Sequence, residues 1–243
     1  LLANFKKVSM AFPGGCVLGK RPVAAHTIAL EKLGCEIIDE SKELKIKAKE
    51  LKGAEITMTE LSVTATENLI MVAIFAKGNT TINLAAAEPH VQDLCKFLNK
   101  MGAKITGIGS HTLKIKGVTS LHGATYKVTG DYLEAGTIAI AAAITKGDVK
   151  IKGINPKDLG SFWQKFDEIG VDFTLGETEA HIKGYKSLKS TNIRTAVHPS
   201  FPTDLQAPFS VLLTQAKGVS KIFETLFEGR LSYLAELEHM GAQ

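Results

Sequence analysis

Cysteine is scarce in this sequence. The chain of 243 residues has three cysteines, an odd number, with no Cys-x-x-Cys pair and no cysteine and histidine spacing typical of a metal site. This count argues against a disulfide framework and a zinc site. We therefore expect a protein of a reducing compartment, the cytoplasm.

Long apolar runs are also lacking. The longest, LIMVAIFA and IAIAAAI, are far shorter than the ~20 residues that a membrane-spanning helix needs. The first residues, LLANFKKVSMAF, lack the charged leader, apolar core and cleavage site of a secretory signal. The sequence therefore predicts no association with a membrane.

The chain has only a small excess of positive charge. There are 29 lysines and arginines against 25 acids, a net charge of +4, and the lysines are scattered without interleaved aromatic residues. A nucleic-acid-binding protein usually concentrates its positive charge on one face. The pattern disfavours nucleic acid as a partner and is compatible with small anionic ligands.

The sequence does contain repeats. The segments KGNTTI, KGDVKI and KGVSKI, at 77–82, 146–151 and 217–222, each follow an apolar stretch with helical character. A glycine after the last helical turn predicts the end of the helix, and the alternating residues after it predict a strand.

A second type of helix recurs and ends at Gly34, Gly102, Gly170 and Gly241, which are separated by 68, 68 and 71 residues. The residues one and four positions before each glycine are apolar, which predicts one buried helical face per copy. Pro22, Pro89 and Pro156 precede three of these glycines by 12 to 14 residues, where a first-turn proline is tolerated. A unit of about 69 residues that mixes helices and strands predicts a multi-unit α/β architecture.

One cysteine lies in an unusual setting. Cys16 belongs to PGGCVLGKRP, with three glycines around it and Lys20 and Arg21 close behind. The glycines predict a mobile loop, and the cations favour a thiolate or bind phosphate. A solvated turn with an incidental cysteine is an equally good interpretation of this loop alone. Cys35 and Cys95 fall in apolar patterns and are interpreted as packing residues.

The other candidate residues all lie at predicted helix starts. They are Asp204 in HPSFPTDLQAP, Asp131 and Glu134 in GDYLEAGT, Glu88 and His90 in AEPHVQD, and the hydroxyl-rich LSVTATEN at 61–68. Acids near helix starts interact favourably with the helix dipole, so these residues could be structural. Asp204 in particular could be a simple N-cap. The two histidines show no metal-ligand spacing.

Taken together, several segments resemble one family. PGGCVLGKRPV, SVTATEN, AAAEP, LEAGTIAIAAA, RTAVHPSFPTDLQAP and ETLFEGR occur in the order found in the UDP-N-acetylglucosamine 1-carboxyvinyltransferases, enolpyruvyl transferases of bacterial peptidoglycan precursor synthesis. The resemblance implies repeated α/β units that form two inside-out α/β barrels. We expect residues 1–129 to belong to the first barrel domain and residues 130–243 to the second.

The resemblance also implies a reaction. Phosphoenolpyruvate donates its enolpyruvyl group to the 3-hydroxyl of UDP-N-acetylglucosamine, with no cofactor, no metal and no obligate protein partner. The resemblance assigns general acid catalysis to Cys16 and proton abstraction from the sugar hydroxyl to Asp204. It also implies substrate contacts by Arg21, Pro22, Val23, Ala24, Ala25, Ser62, Val63, Leu226 and Arg230. Family members extend beyond both ends of this chain and hold phosphoenolpyruvate with residues located there, so we expect the chain alone to be inactive.

The sequence departs from the family pattern in places, and other functions stay open. Ala24, Thr64, His90, Tyr132 and Gly229 replace the usual aspartate, glycine, glutamate, arginine and asparagine. One alternative is the sister transferase that acts on shikimate 3-phosphate, which lacks the PGGC loop. Another is a non-catalytic α/β-repeat module that binds sugar nucleotides. A thiol-redox protein is less well supported, since no resolving cysteine adjoins Cys16.

Overall fold

The chain divides into two compact units, Leu1–Lys127 and Val128–Gln243. The structure is a computed structural model, and it describes residues 1–11, 23–40 and 43–242. In this described part of the chain, no helix has both the length and the apolar character needed to cross a membrane. The correspondence of the two units to barrel domains at 1–129 and 130–243 stays a prediction.

The described residues of the first unit form four helices and two sheets. The helices are α1 (Leu2–Phe5), α2 (Ala24–Lys32), α3 (Val63–Ala73) and α4 (Pro89–Lys100). The strands are β1 (Lys7–Ala11), β2 (Cys35–Glu40), β3 (Glu43–Ala48), β4 (Glu55–Thr57), β5 (Asn79–Asn83), β6 (Lys104–Thr106) and β7 (Thr112–Lys116). One sheet has the order β1-β3-β2 and is antiparallel; the other has the order β4-β5-β7-β6, in which only β4 and β5 are parallel.

The second unit repeats the same kinds of element. Its helices are α5 (Tyr132–Ile144), α6 (Gly160–Glu168), α7 (Gln206–Leu213) and α8 (Tyr233–His239), with short 3₁₀ helices at Pro156–Leu159 and Thr203–Leu205. Its strands are β8 (Val149–Lys152), β9 (Val171–Leu175), β10 (Glu179–Tyr185), β11 (Asn192–Arg194) and β12 (Lys221–Phe223). The order β8-β10-β9 is antiparallel, and β11 pairs with β12 in parallel.

In each unit the helices and sheets pack on a common core, to which helices α2 to α7 contribute buried residues. Strands β3, β7 and β10 alternate between buried and more exposed side chains, which is the pattern of a sheet with one face on the core. Helices α3 and α5, in contrast, bury residues such as Ile70 and Ala139 completely. The predicted α/β architecture of repeated units is confirmed.

The repeated glycines end the helices as predicted. Gly34, Gly102, Gly170 and Gly241 have φ angles of 91°, 104°, 90° and 94°, and after the first three a strand begins within two residues. Side chains disfavour this left-handed backbone, because a Cβ atom crowds the neighbouring carbonyl. The glycine therefore allows the chain to turn directly from helix to strand.

Two details differ from the sequence-based expectations. Lys146, not Gly147, is the left-handed residue that ends α5: its φ is 53°, and the N–H groups of Lys146 and Gly147 donate to Ala143 and Ala142. In the fourth copy, α8 has no buried residue and Met240 is 82% exposed, so the buried face predicted there is wrong. No strand pair covers α8 in the described residues, and a hydrogen bond of 2.6 Å joins Tyr233 to Ser210 on α7.

The two units share a repeated hydrogen-bond framework. The N–H of Lys77 donates to Leu51, and the N–H of Lys217 donates to Leu188, at 2.9 and 3.0 Å. The parallel strand pairs β4–β5 and β11–β12 then follow at equivalent positions. Residues 51–83 and 188–223 are therefore structural copies of each other.

We expect substitution of Gly170 to destabilise the second unit. A Cβ atom there would combine a φ of 90° with a contact of 3.2 Å to the carbonyl oxygen of Ser187. Gly170→Ala should lower the free energy of unfolding by about 1–3 kcal/mol, measured by urea denaturation. Gly160→Ala is the matched control at the other end of α6, because Gly160 has helical backbone and open space around it. The control should be neutral or stabilising, and equal losses in both variants would contradict the left-handed constraint.

Candidate active site

Asp204 and Arg230 form an ion pair in the second unit. A guanidinium N–H of Arg230 donates to Oδ1 of Asp204 at 2.5 Å. The guanidinium also lies 5.2 Å from the centre of the Phe227 ring. The side chain of Asp204 is 53% exposed and that of Arg230 is 20% exposed, so the carboxylate is accessible from solvent. The structure thus brings together two of the predicted site residues that are 26 positions apart.

Apolar anchors on both sides hold Asp204 in place. Phe201 is 4% exposed and packs against Phe209 with ring centroids 5.2 Å apart, while Leu205 is completely buried. Asp204 lies between these anchors in the short 3₁₀ helix that leads into α7. Neither helix start has a side-chain cap, so the interpretation of Asp204 as a simple N-cap is wrong.

The turn that carries Leu226 and Arg230 is organised by Glu224. Oε1 of Glu224 accepts hydrogen bonds from the N–H groups of Leu226 and Phe227, and Oε2 accepts one from the hydroxyl of Thr203. Burial alone would raise the pKa of Glu224, but these donors and Thr195 outweigh it, so the pKa is lowered. The N–H of Leu226 is therefore occupied, and its side chain, 39% exposed, remains available for a ligand.

Gly229 fits the same turn. Its φ is 68°, a left-handed conformation that asparagine also tolerates better than most residues. Glycine here and the asparagine usual in the family can therefore give this turn the same backbone conformation.

In the first unit, the starts of α2 and α3 lie side by side. Nε2 of His26 and Oγ1 of Thr64 are 3.2 Å apart. Ser62 is the N-cap of α3, and its hydroxyl accepts from the N–H of Ala65 at 3.4 Å. Val63 is the first residue of the helix. The predicted substrate residues Ser62 and Val63 thus lie at a helix start, where free N–H groups favour an anion.

The remaining predicted residues of this unit differ in accessibility. Ala24 is exposed and Val23 is half-buried, whereas Ala25 is 5% exposed and packs in the core. A ligand contact at Ala25 would therefore have to use its backbone. Cys16, Arg21 and Pro22 lie outside the described residues, and their roles stay predictions.

The other candidates have local structural functions or no clear geometry for catalysis. Asp131 caps α5 by accepting from the N–H groups of Leu133 and Glu134. Burial raises the pKa of Glu67; the charge of His90 opposes this shift, and the charge of Glu88 adds to it. Among the described residues, no group of three or more histidine, cysteine, aspartate or glutamate side chains is arranged to hold a metal ion.

Sequence reasoning missed two contacts at these sites. Glu224 and Thr203 occur inside the quoted motifs ETLFEGR and FPTD, but their mutual hydrogen bond joins residues 21 positions apart. The pair of His26 and Thr64 spans 38 positions. No periodic pattern signals such contacts, because they depend on how separate loops pack.

Comparison with known proteins decides the family. The sequence profile described as EPSP synthase (3-phosphoshikimate 1-carboxyvinyltransferase) matches residues 1–243. The chain belongs to this family. Its curated relatives include the UDP-N-acetylglucosamine 1-carboxyvinyltransferases of Hydrogenovibrio crunogenus, 46% identical, and Coxiella burnetii, 44% identical. The whole chain aligns with 58% and 56% of these relatives' lengths, respectively, and the resemblance seen in the motifs is confirmed.

Solved structures of the family share the fold. The enolpyruvyl transferase NikO from Streptomyces tendae matches 98% of this chain with a TM-score of 0.83 at 19% identity. EPSP synthase from Acinetobacter baumannii matches 94% with a TM-score of 0.65 at 21% identity. The alignments cover 57% and 55% of those chains. At such identities the similarity establishes the enolpyruvyl transferase fold, including its α/β architecture.

We expect Cys16 to react first among the three thiols. Cys35 and Cys95 are 7% and 0% exposed, and burial raises the pKa of both to about 11, with the charge of Glu67 adding to the shift at Cys95. Thiolates are the reactive form, so both should be slow near neutral pH. Limiting alkylation of the folded chain, mapped by mass spectrometry, should place the adduct on Cys16. Cys16→Ser should remove the fast phase, and faster labelling of Cys35 or Cys95 would contradict the interpretation.

The first unit should lose stability in acid through His26. Burial lowers the pKa of His26 below its ordinary value of 6.5, and Glu60 opposes part of this shift. The neutral imidazole is therefore favoured by folding. The contribution of the neutral imidazole to the free energy of unfolding is fully present above pH 6.5. It is lost as the pH falls from 6.5 through the lower pKa of the folded state.

Unfolding measured by circular dichroism between pH 7.5 and 5 tests this expectation. His26→Gln should show a smaller loss of stability across this range than the unmodified chain. His239→Gln is the control, because the His239 side chain is 77% exposed and lies in the second unit. An unchanged pH dependence in His26→Gln would refute the role assigned to burial.

Proposed function

We propose that the protein transfers the enolpyruvyl group of phosphoenolpyruvate to the 3-hydroxyl of UDP-N-acetylglucosamine and releases phosphate. This reaction would serve peptidoglycan precursor synthesis, and thereby cell shape and division, in the cytoplasm. The chain spans 56–58% of the curated relatives' lengths. The proposal therefore concerns the activity of the whole protein, to which this chain contributes the residues described here.

The pairing of Asp204 with Arg230 carries the proposal. The guanidinium occupies Oδ1 of Asp204, and among the described residues no group donates to Oδ2. An accessible carboxylate held by one oxygen is suited to accept a proton from a substrate hydroxyl with the other. The burial of Phe201 and Leu205 holds the backbone on both sides of Asp204.

The reaction balances as an addition followed by an elimination. Asp204 takes the proton of the sugar hydroxyl while the hydroxyl oxygen bonds to C2 of phosphoenolpyruvate, and Cys16 donates a proton to C3. Phosphate then leaves C2 as the Cys16 thiolate takes a proton from C3, which restores the double bond and the thiol, and the departing phosphate takes the proton from Asp204. In this scheme Arg21 stabilises the developing negative charge on the phosphate-bearing intermediate.

The helix starts of the first unit supply the binding site for the sugar nucleotide in this proposal. Ser62 and Val63 would face the diphosphate with N–H groups of α3, and Val23 and Ala24 would contact the nucleotide at the start of α2. Leu226 would contact the sugar. Both helices have at least nine residues, long enough for their N-terminal N–H groups to favour an anion.

Replacement of Asp204 by asparagine tests the catalytic role in the full-length protein. Asparagine keeps the shape of the side chain but cannot accept the proton. We expect the rate of phosphate release to fall about 10²–10⁴-fold. The thermal midpoint should change little, since a partly exposed ion pair contributes only about 0–1 kcal/mol.

The controls separate this function from its alternatives. Asp172→Asn, an exposed position on β9, should leave both rate and midpoint unchanged. Shikimate 3-phosphate in place of the sugar nucleotide should give no phosphate release. Turnover with shikimate 3-phosphate would favour the sister transferase, and sugar-nucleotide binding without turnover in the full-length protein would favour a binding module. A near-normal rate in Asp204→Asn would remove Asp204 from the mechanism.

A further inference from the structure

Glu224 connects the two segments that carry Asp204 and Arg230. Its Oε2 accepts from the hydroxyl of Thr203, the residue directly before Asp204, at 2.8 Å. Its Oε1 accepts from the N–H groups of Leu226 and Phe227 at 2.8 and 3.3 Å. One carboxylate therefore holds one segment with each oxygen.

The backbone around Glu224 is fixed independently. Thr195 is completely buried, and its hydroxyl and carbonyl oxygens accept from the N–H and hydroxyl of Thr225 at 3.1 and 2.6 Å. The N–H of Thr195 donates to the carbonyl of Phe223 at 3.0 Å. Residues on both sides of Glu224 are thus tied to a buried strand end, so the carboxylate has a defined position.

Phe227 extends this connection to Arg230. Its N–H is held by Glu224, and its ring lies beneath the guanidinium that binds Asp204. A displacement of Phe227 would move the surface on which Arg230 rests. The contacts run from Glu224 to Phe227, then to Arg230 and Asp204, and return to Glu224 through Thr203.

We propose that Glu224 is a positioning residue, which sets the geometry of the Asp204–Arg230 pair by hydrogen-bonding Thr203 with one carboxylate oxygen and the Leu226–Phe227 turn with the other. It acts through these neighbours and not on the substrate. The importance of this geometry for turnover rests on the proposed function, whereas the geometry itself does not.

The geometry is tested on this chain without substrate. The sequence has three arginines, Arg21, Arg194 and Arg230, so ¹⁵N-arginine labelling gives few guanidinium signals, and Arg230→Lys assigns that of Arg230. We expect Glu224→Ala and Thr203→Val to shift the Arg230 signal in the direction produced by Asp204→Asn. Glu228→Ala, an exposed acid in the same turn, should leave it in place.

Conservative replacement separates hydrogen bonding from charge. In Glu224→Gln the amide oxygen still accepts from the two N–H groups and the amide nitrogen donates to Thr203, so the Arg230 signal should stay near its original position. Arg194 lies 5.2 Å from the Phe223 ring and reports that the unit remains folded. Should Glu224→Ala not fold, Thr203→Val carries the test. An unmoved Arg230 signal in a folded Glu224→Ala or Thr203→Val variant would overturn the proposal, as would a Gln variant that behaves like Ala.

Turnover in the full-length protein supplies the second measurement. We expect Glu224→Ala to lower kcat for phosphate release about 10- to 100-fold with little change in the KM for UDP-N-acetylglucosamine, because misplacement of a catalytic group costs rate more than binding. Glu224→Gln should restore most of the rate. Normal kcat in Glu224→Ala would overturn the positioning role, whereas an unmodified protein that releases no phosphate would refute the proposed function and leave the signal test decisive for the geometry.

Discussion

The direct turn from helix to strand through a left-handed glycine is the constraint on which both units depend. At Gly34, Gly102 and Gly170 the chain leaves a buried helix and begins a strand within two residues. A longer loop would let the strands pack at variable distances from the helix. The short turn instead fixes the antiparallel strands of the sheet against the helices. The candidate residues follow other strands of the same units, since Ser62 comes after β4, Asp204 after β11 and Arg230 after β12.

Much of this fold could be predicted from the sequence because its determinants are local and repeated. The apolar spacing before Gly170 and the KG segments indicate helix ends and strands without knowledge of tertiary contacts. The left-handed conformation of Lys146 could not be predicted in this way, because the hydrogen bonds that end α5 place the left-handed residue one position before Gly147. The candidate site was predictable only in part, since residue types and family motifs indicate Asp204 and Arg230, but the contacts made by Glu224 arise from the packing of separate loops.

The site depends on the apolar core more than on its own charges. The ion pair of Asp204 and Arg230 is partly exposed, and such pairs contribute little to the free energy of folding. The burial of Phe201, Leu205 and Thr195 instead fixes the backbone from which the charged groups project. This division of roles leaves the charges free for interaction with a ligand, since their removal need not unfold the unit.

Comparison of the two copies of the repeat shows what is specific to the second unit. The N–H of Met58 donates to Asn83 in one copy, and the N–H of Thr195 donates to Phe223 in the other, so Leu84 and Glu224 occupy equivalent positions. Leu84 is 44% exposed with a φ of 57°, whereas Glu224 accepts three hydrogen bonds from the segments beside Asp204 and Arg230. The shared framework forms with a leucine at this position, so a glutamate is not required to build the repeat. The hydrogen bonds of Glu224 are therefore accounted for by the site that the second unit carries, and not by the construction of the repeat.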